Sequence, residues 1–194
     1  MRFLDNVLSD FINKAPEQFK DAKYSAERER SVGLGVMGFH SFLQQKRIPL
    51  ESVMAKSWNK KIFKNIHEKV NQASKDLAEE RGACPDAAEY GFNERFSNKT
   101  AIAPTASISI ICGGASPGVE PIAANSYTHK TLSGSFNVRN RYLEEILESH
   151  GKNDDETWST ITTNQGSVSH LDFLTDLEKD VFKTAFELNQ KWII

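Results

Sequence analysis

Apolar side chains recur at three- and four-residue spacing along much of the chain, and this spacing places them on one face of a helix. Near the N-terminus, Phe3, Val7 and Phe11 follow it as part of one wide apolar stripe. Gly82 and Gly151 come directly after two such stretches, at the position where a helix often ends. The predicted helices cover residues 1–13, 37–46, 50–81 with a break near Ser57, 142–150, and 175–194. The last one begins at Thr175-Asp176, with Glu178 supporting its first turn, and has no stop signal before Ile194.

Other segments lack this helical spacing. The stretch Asn125–Val138 predicts a bent strand or hairpin, with Ser133-Gly134 as its turn. Its histidine, His129, has no partner nucleophile, so a place on the strand surface is favoured over a catalytic role. The charged run Glu27–Arg30 is interpreted as a solvated face or a short ion-pair network. Irregular structure is predicted for residues 86–99, 153–157 and 158–174.

The composition indicates a chain that can build a core but has no strong bias in charge. Hydrophobic residues make up 39% and charged residues 26% of the 194 positions, and the formal net charge is −2. This balance does not indicate a nucleic-acid groove or a membrane surface. No apolar run approaches the roughly 20 residues of a membrane span. The length suits one domain or a part of a larger one.

The chain has two cysteines, Cys84 and Cys112, which lack the CxxC spacing of a zinc or redox site. Both are interpreted as small buried side chains rather than redox residues. With so few cysteines, a reducing, cytoplasmic setting is the default interpretation.

A glycine pattern at Gly33, Gly35 and Gly38 matches GxGxxG, the dinucleotide-binding fingerprint. That motif needs a buried strand before it, a helix after it, and an acidic residue at the end of a second strand. The residues before Ser31 are charged, and Glu51 precedes a helical pattern rather than ending a strand. We therefore favour a structural interpretation, in which small residues let this segment pass close to another backbone.

The segment Thr100–Pro121, TAIAPTASISIICGGASPGVEP, carries the candidate chemistry. An apolar start predicts a short strand, Pro104 ends it, and a hydroxyl at Thr105 or Ser107 suits a helix start. Gly113-Gly114 would then stop a short helix. A helix N-terminus with free N–H groups suits a phosphate or another anion. On these residues alone, an ordinary strand-to-helix loop that binds nothing stays open.

Seven segments taken in order resemble one family, the large catalytic subunit of ribonucleotide reductase, and within it the aerobic diphosphate-reducing class. The resemblance extends over nearly the whole chain, and seven motifs in register are far more specific than any one of them. The segments are RSVGLGVMGF at 30–39, GACP at 82–85, APTASIS at 103–109, PGVEP at 117–121, YTHKTLSGSF at 127–136, NQGSV at 164–168 and EKDVFKTAFELNQKW at 178–192.

The resemblance implies a fold of the α/β class. Residues 1–194 would be the C-terminal portion of a ten-stranded α/β barrel, a helix-rich fragment with the late strands and helices and no internal domain boundary. It also implies a role in reducing ribonucleoside diphosphates to deoxyribonucleotides, the precursors of DNA, in the cytoplasm.

The resemblance implies a substrate phosphate site at the turn after Pro104, which would set the turn. The anion would be held by backbone N–H groups and by two hydroxyls. No lysine or arginine lies in the turn and the Walker pattern GK[ST] is absent, so this is not an ATPase phosphate loop. The implied site residues are Pro104, Thr105, Ala106, Ser107 and Ile108.

The resemblance implies no cofactor in this chain itself. The whole enzyme would use a radical from a metal-containing small subunit, or cobalamin if it belonged to class II, and ATP or deoxynucleotide effectors. Its partners would be the remaining large-subunit segments, the small subunit, a ribonucleoside diphosphate, and thioredoxin or glutaredoxin, with no membrane.

The resemblance also places the family's reactive residues elsewhere. Its radical-bearing cysteine, the asparagine and glutamate beside it, and its reducing cysteines lie on other segments, and Cys84 and Cys112 match none of those motifs. We therefore expect the isolated chain to be inactive. A split gene product, an expressed fragment and a partial sequence would each account for this, and a non-catalytic nucleotide-binding or interaction module is the alternative.

Overall fold

The computed structural model describes residues 1–131 and 134–192, and for residues 129 and 131 it describes the backbone alone. The chain forms two compact units. Unit 1 comprises Met1–Gly35 and Asn59–Ala103, and unit 2 comprises Val36–Trp58 and Pro104–Ile194. No helix within the described ranges is long and apolar enough to cross a membrane.

The described residues form a helix-rich α/β structure with one small antiparallel sheet. In the sheet, Ser126 pairs with Arg139 and Thr131 with Gly134. Short 3-10 helices lie at Glu17–Phe19 and Gln190–Trp192. The other elements are α1 (Arg2–Lys14), α2 (Lys20–Glu29), α3 (Phe39–Gln45), α4 (Val53–Arg81), α5 (Pro85–Glu89), α6 (Ala106–Ile111), β1 (Ser126–Thr131), β2 (Gly134–Arg139), α7 (Arg141–Ser149), α8 (Asp155–Thr163) and α9 (Asp176–Val181).

Unit 1 is built around a buried carboxylate on α1, that of Asp5. One of its oxygens accepts from Arg30 Nη2 at 2.6 Å and from Arg95 Nε at 3.0 Å. The other accepts from Arg81 Nη1, at the end of α4, at 2.7 Å. Arg95 also donates to the carbonyl of Arg81, the last residue of α4, and to that of Gly82, which follows it. One carboxylate therefore joins α1, the residue after α2, the end of α4 and the loop after α5.

Burial alone would raise the pKa of the Asp5 carboxyl, because it penalises the charged form. Hydrogen bonds from Arg95, Arg30 and Arg81 outweigh burial, and the pKa of Asp5 lies below its usual value. Arg30 is itself buried. The solvated-face interpretation of Glu27–Arg30 is therefore wrong for Arg30, whereas the alternative of an ion-pair network is confirmed, since Arg30 pairs with Asp5.

The glycines of the GxGxxG pattern allow a close approach of two backbones, as predicted. Leu34 forms a parallel bridge with Thr100. A Cβ on Gly33 would lie 2.8 Å from the Cβ of Ala101, and one on Gly35 would lie 2.8 Å from the carbonyl oxygen of Ala101. The segment before the pattern is the helix α2, not a buried strand, so the context for a dinucleotide is missing from these residues.

The strand predicted to start at Thr100 is reduced to that single bridge. Residues 101–104 are exposed and form no regular element. Two other predictions in this part of the chain are wrong. The helix α4 runs without the predicted break near Ser57, and residues 86–89, which were predicted to be irregular, form α5 with Pro85 as its first residue.

The main core of unit 2 lies among α7, α8, α9 and the chain between α8 and α9. Leu143, Ile146 and Leu147 of α7 are buried, as their spacing predicted. Trp158 and Ile161 pack with them from α8. The prediction of irregular structure at 153–157 and 158–174 is therefore wrong from Asp155 to Thr163. The signal was present in Asp154, whose side chain caps α8 by accepting the N–H of Thr157 at 2.7 Å.

The last predicted helix begins as expected, with a capping box between Thr175 and Glu178, but it ends at Val181 instead of continuing beyond Trp192. Phe182 is buried in the core just described, whereas Leu188 is buried in a second cluster with residues of α3 and α4. Phe186, between them, is 84% exposed. Because Phe182 and Leu188 pack into different clusters, the chain does not continue as one helix between them.

The predicted hairpin is present as β1 and β2. Of its predicted turn, Ser133 lies outside the described residues, as does the side chain of His129. The backbone of His129 lies in β1, where it pairs with Phe136.

A buried histidine, His40, lies at the start of α3 in unit 2. Its Nδ1 accepts the backbone N–H of Ile122 at 3.0 Å, so the neutral ring supplies the acceptor. Burial lowers the pKa of His40 to about 4, because the interior penalises the imidazolium ion.

We predict that Asp5→Ala lowers the free energy of unfolding of unit 1 by about 3–5 kcal/mol, because three arginines lose a buried counter-charge. Urea unfolding followed by far-ultraviolet circular dichroism measures this. Tryptophan fluorescence would report on unit 2 instead, because all three tryptophans lie there. Asp10→Ala is the matched control on the same helix. Among the described residues Asp10 pairs only with Lys14, and both side chains are exposed. Its loss should change the free energy by at most about 0.5 kcal/mol.

The lowered pKa of Asp5 determines how its contribution to the free energy of unfolding changes with pH. Its stabilisation is present above the ordinary carboxyl pKa of about 3.9 and is lost as the pH falls through the lower value of the folded state. In Asp5→Ala that acid-side loss should disappear. Equal stabilities of Asp5→Ala and Asp10→Ala would contradict the role given to this carboxylate.

We predict that His40 makes unit 2 less stable as the pH falls from about 6.5 to about 4. The unfolded chain takes up a proton on this imidazole in that range, whereas the folded chain does not. The loss should reach about 3 kcal/mol at the acid end. In His40→Asn, whose Oδ1 can still accept from Ile122, the free energy of unfolding followed by tryptophan fluorescence should lose this slope. The exposed His67 provides a control, because His67→Gln should retain the slope; a retained slope in His40→Asn would contradict the assignment.

Candidate functional site

The turn singled out in the sequence lies on the surface of unit 2, directly before the short helix α6. Thr105 is the residue before the helix, and its φ of 51° is in the left-handed region, which is uncommon for a residue other than glycine. This conformation redirects the exposed chain after Pro104 into the helix. The prediction of a turn followed by a helix start is therefore confirmed.

The backbone N–H groups of residues 105–108 have no acceptor among the described residues. The first N–H of this segment that finds one belongs to Ser109, which donates to the carbonyl of Thr105 at 2.8 Å. Free N–H groups at a helix start carry partial positive charge and attract anions. Ala106, Ser107 and Ile108 are all exposed. The geometry thus offers a row of donors facing solvent.

The hydroxyl of Thr105 does not cap the helix, although the residue type favours it. Its Oγ1 accepts the backbone N–H of Gly118 at 2.8 Å instead. The hydroxyl hydrogen stays available for donation to a ligand. The N–H groups at the helix start therefore receive no side-chain acceptor from Thr105.

Ser109 is the one buried residue of α6 and was not among the predicted site residues. Its hydroxyl donates to the carbonyl of Ala106 at 2.9 Å. Its carbonyl accepts the N–H groups of Gly114 and Ala115 at 3.0 and 3.1 Å. Gly113 and Gly114 have φ values of 83° and 72°, so the predicted glycine stop is confirmed.

Two further serines, Ser41 on α3 and Ser116 after the glycines, hold the chain beyond the turn. Each hydroxyl accepts the backbone N–H of the other serine, at 3.1 and 2.8 Å. The carbonyl of Ser116 also accepts the N–H of Gly38 at 2.8 Å. Nothing in the sequence pairs two serines that lie 75 positions apart, so these residues could not be found before the fold was known.

The electrostatics of the turn come from the backbone alone. No charged side chain occurs between Pro104 and Val119. An anion bound here would be neutralised by N–H dipoles rather than by a lysine or arginine.

The structure leaves both cysteines as free thiols. Cys84 is buried, as expected, but Cys112 is exposed and follows α6 directly. The interpretation of Cys112 as a buried side chain is therefore wrong, because α6 buries only Ser109 and the chain after it stays at the surface.

Comparison with known proteins places the chain in one family. The family model for the ribonucleotide reductase barrel domain matches residues 1–94 and 86–194, which together cover the whole chain. A ribonucleoside-diphosphate reductase large subunit from Invertebrate iridescent virus 6 is 50% identical over all of this chain and 20% of its own length. One from Invertebrate iridescent virus 3 is 47% identical over 97% of this chain and 30% of its own length.

A solved structure shows the same fold. The alpha subunit of a class Id ribonucleotide reductase from Actinobacillus ureae superposes with a TM-score of 0.89 at 40% identity, over 98% of this chain and 35% of that one. The chain thus spans a third or less of the two viral relatives and about a third of this structure. With the matched barrel domain, the viral large subunits and this superposition in agreement, the chain belongs to the ribonucleotide reductase large-subunit family.

Proposed function

We propose that this chain is the part of a ribonucleoside-diphosphate reductase large subunit that holds the diphosphate of the substrate. The observation that carries the proposal is the row of unpaired N–H groups at residues 105–108, within a chain that the barrel-domain family matches throughout. The ligand would be a ribonucleoside diphosphate, and the product of the whole enzyme a deoxyribonucleotide for DNA synthesis.

In this proposal the main chain makes the contacts with phosphate. The N–H groups of Thr105, Ala106, Ser107 and Ile108 donate to phosphate oxygens, and the helix dipole of α6 adds a favourable field. The Thr105 hydroxyl accepts from Gly118 and donates its own hydrogen to the ligand. Ala106 and Ile108 have no polar side chain to offer, which does not matter where the backbone is the donor. Pro104 fixes the direction from which the chain enters.

The reduction itself is assigned to residues outside these 194. We propose that they lie on other large-subunit segments, which form a ten-stranded barrel with this one. The radical would come from a metal-containing small subunit, or from cobalamin in a class II enzyme, under ATP and deoxynucleotide control. Thioredoxin or glutaredoxin would supply electrons. Two free thiols and no disulfide between them agree with a reducing, cytoplasmic setting.

The energetics of the turn set what the chain does alone. Hydrogen bonds to a charged phosphate contribute roughly 1.5–3 kcal/mol each. Association costs an estimated 4–15 kcal/mol, so three simultaneous bonds of full strength leave at most about 5 kcal/mol, a dissociation constant of about 0.2 mM, and mid-range values leave binding in the millimolar range or too weak to measure. Contacts to the base and ribose must come from elsewhere for useful affinity.

We predict that cytidine diphosphate and inorganic pyrophosphate shift the backbone amide resonances of residues 105–108 in the 194-residue chain, at about millimolar concentration. Cytidine without phosphate should not shift them. Two-dimensional NMR titration of the labelled chain measures this directly.

A charge placed in the turn sharpens this test. Ser107→Asp should weaken binding at least about tenfold, because its carboxylate repels the phosphate. Asp in a first helical turn favours α6, so the effect would not reflect loss of the helix. Ser107→Asn, uncharged and of similar size, is the matched control and should bind nearly as the parent chain does. Equal binding by both variants would mean that the phosphate lies elsewhere.

We also predict no turnover by the isolated chain when it is supplied with a radical-generating small subunit, a dithiol and cytidine diphosphate. Co-expression with the remaining segments of the iridescent virus large subunit should restore formation of deoxycytidine diphosphate, measured by chromatography. Cys112→Ser should leave the restored activity intact. Turnover by the isolated chain would contradict the proposal, and phosphate binding without restored activity would favour a non-catalytic nucleotide-binding module.

A further inference from the structure

The helix α6 has little packing of its own to hold it in place. It has six residues, and Ser109 alone among them is buried. Ile108, Ile110 and Ile111 are exposed by 56%, 45% and 83%. A helix this short is unstable by itself, because forming one turn fixes several residues for a single hydrogen bond. The direction of its free N–H groups must therefore be set by hydrogen bonds from other parts of unit 2.

The two serines that hold the chain beyond the turn form what we call the serine clasp, the reciprocal pair Ser41 and Ser116. Both residues are buried. Each gives up its hydroxyl oxygen to the N–H of the other, at 3.1 and 2.8 Å. The bond from Gly38 to the carbonyl of Ser116 adds a third connection to the start of α3.

The clasp lies between the two attachments of the turn. On one side of Ser116, Gly114 and Ala115 donate to the carbonyl of Ser109 at the base of α6. On the other side, Gly118 donates to the hydroxyl of Thr105. Movement of Ser116 would therefore loosen both attachments, the one at Ser109 and the one at Thr105, and with them the orientation of residues 105–109. The glycines on either side supply no packing that could replace them.

We propose that Ser41 and Ser116 are positioning residues for the phosphate-binding turn. They do not touch the ligand; they hold the segment 114–118, which in turn fixes Thr105 and Ser109 and so aims the free N–H groups. This inference rests on the proposed function of the turn. It assigns to the site a residue of α3 that lies 64 positions before Thr105 in the sequence.

Hydroxyl removal is the direct test. Ser116→Ala leaves the N–H of Ser41 without its acceptor, and Ser41→Ala does the same to Ser116, so each frees the segment on one side. By NMR titration of the 194-residue chain with inorganic pyrophosphate, both variants should bind about tenfold more weakly, or below detection, at residues 105–108. Ser41→Thr, which keeps the hydroxyl, should bind as the parent chain does.

A matched control separates positioning from general loss of stability. Ser126 and Thr162 form another hydroxyl pair in unit 2, at 2.8 Å. Ser126→Ala should lower the midpoint of thermal unfolding about as much as Ser116→Ala, yet leave pyrophosphate binding unchanged. Amide hydrogen exchange at Gly118 should be faster in Ser116→Ala and in Ser41→Ala, and unchanged in Ser126→Ala.

The outcomes distinguish the two proposals. Weaker binding in both alanine variants, with Ser41→Thr and Ser126→Ala unaffected, supports the positioning role. Parent-like binding in Ser41→Ala and Ser116→Ala overturns it while leaving the turn as the phosphate site. No amide shift at residues 105–108 in the parent chain overturns the proposed site, and the positioning role with it. If Ser116→Ala does not fold, Ser41→Ala and its threonine counterpart decide the question alone.

Discussion

The site depends on a simple constraint: the first N–H groups of a helix have no acceptor within the helix. In most helices a side chain at the N-cap position meets this need. Here Thr105 has a suitable hydroxyl, but its oxygen is engaged by Gly118, and the N–H groups of the following residues face solvent. The same bond that leaves the helix start open also holds the turn in shape. One hydroxyl thus leaves the helix start open and supports the turn that we propose as the phosphate site.

Short helices make this arrangement possible and also make it dependent on the surroundings. A longer helix would carry a buried apolar face and hold its own position. The six residues of α6 bury one serine and expose three isoleucines. Polar contacts must then do what packing does elsewhere, and the turn is attached through Ser109, Gly118 and the serine clasp. A site held this way has fixed donors without a large core beneath it.

Polar contacts also hold unit 1 together, but there they join segments that lie far apart in the sequence. The Asp5 carboxylate, with three arginines around it, ties together segments that are up to 90 positions apart in sequence. Each arginine alone would be costly to bury, and the carboxylate alone more so; together they satisfy one another. The exposed apolar side chains of α1, Phe3 and Val7, show that this helix is not held by its apolar stripe alone. The stripe predicted a helix correctly but overstated how much of it would be buried.

The sequence alone determined the features that depend on near neighbours: the helices α1, α3 and α7, the hairpin, the capping box at Thr175, and the turn and glycine stop around α6. Ordered motifs also sufficed to recognise the family, since seven segments in register are more specific than any local pattern. Tertiary structure alone decided where α9 ends, because Phe182 and Leu188 belong to different clusters, and which charges are buried, because Arg30 meets Asp5 across 25 positions. It also decided which serines support the turn. Contacts between residues far apart in sequence depend on the path of the whole chain, and no local period of hydrophobic and polar residues encodes that path.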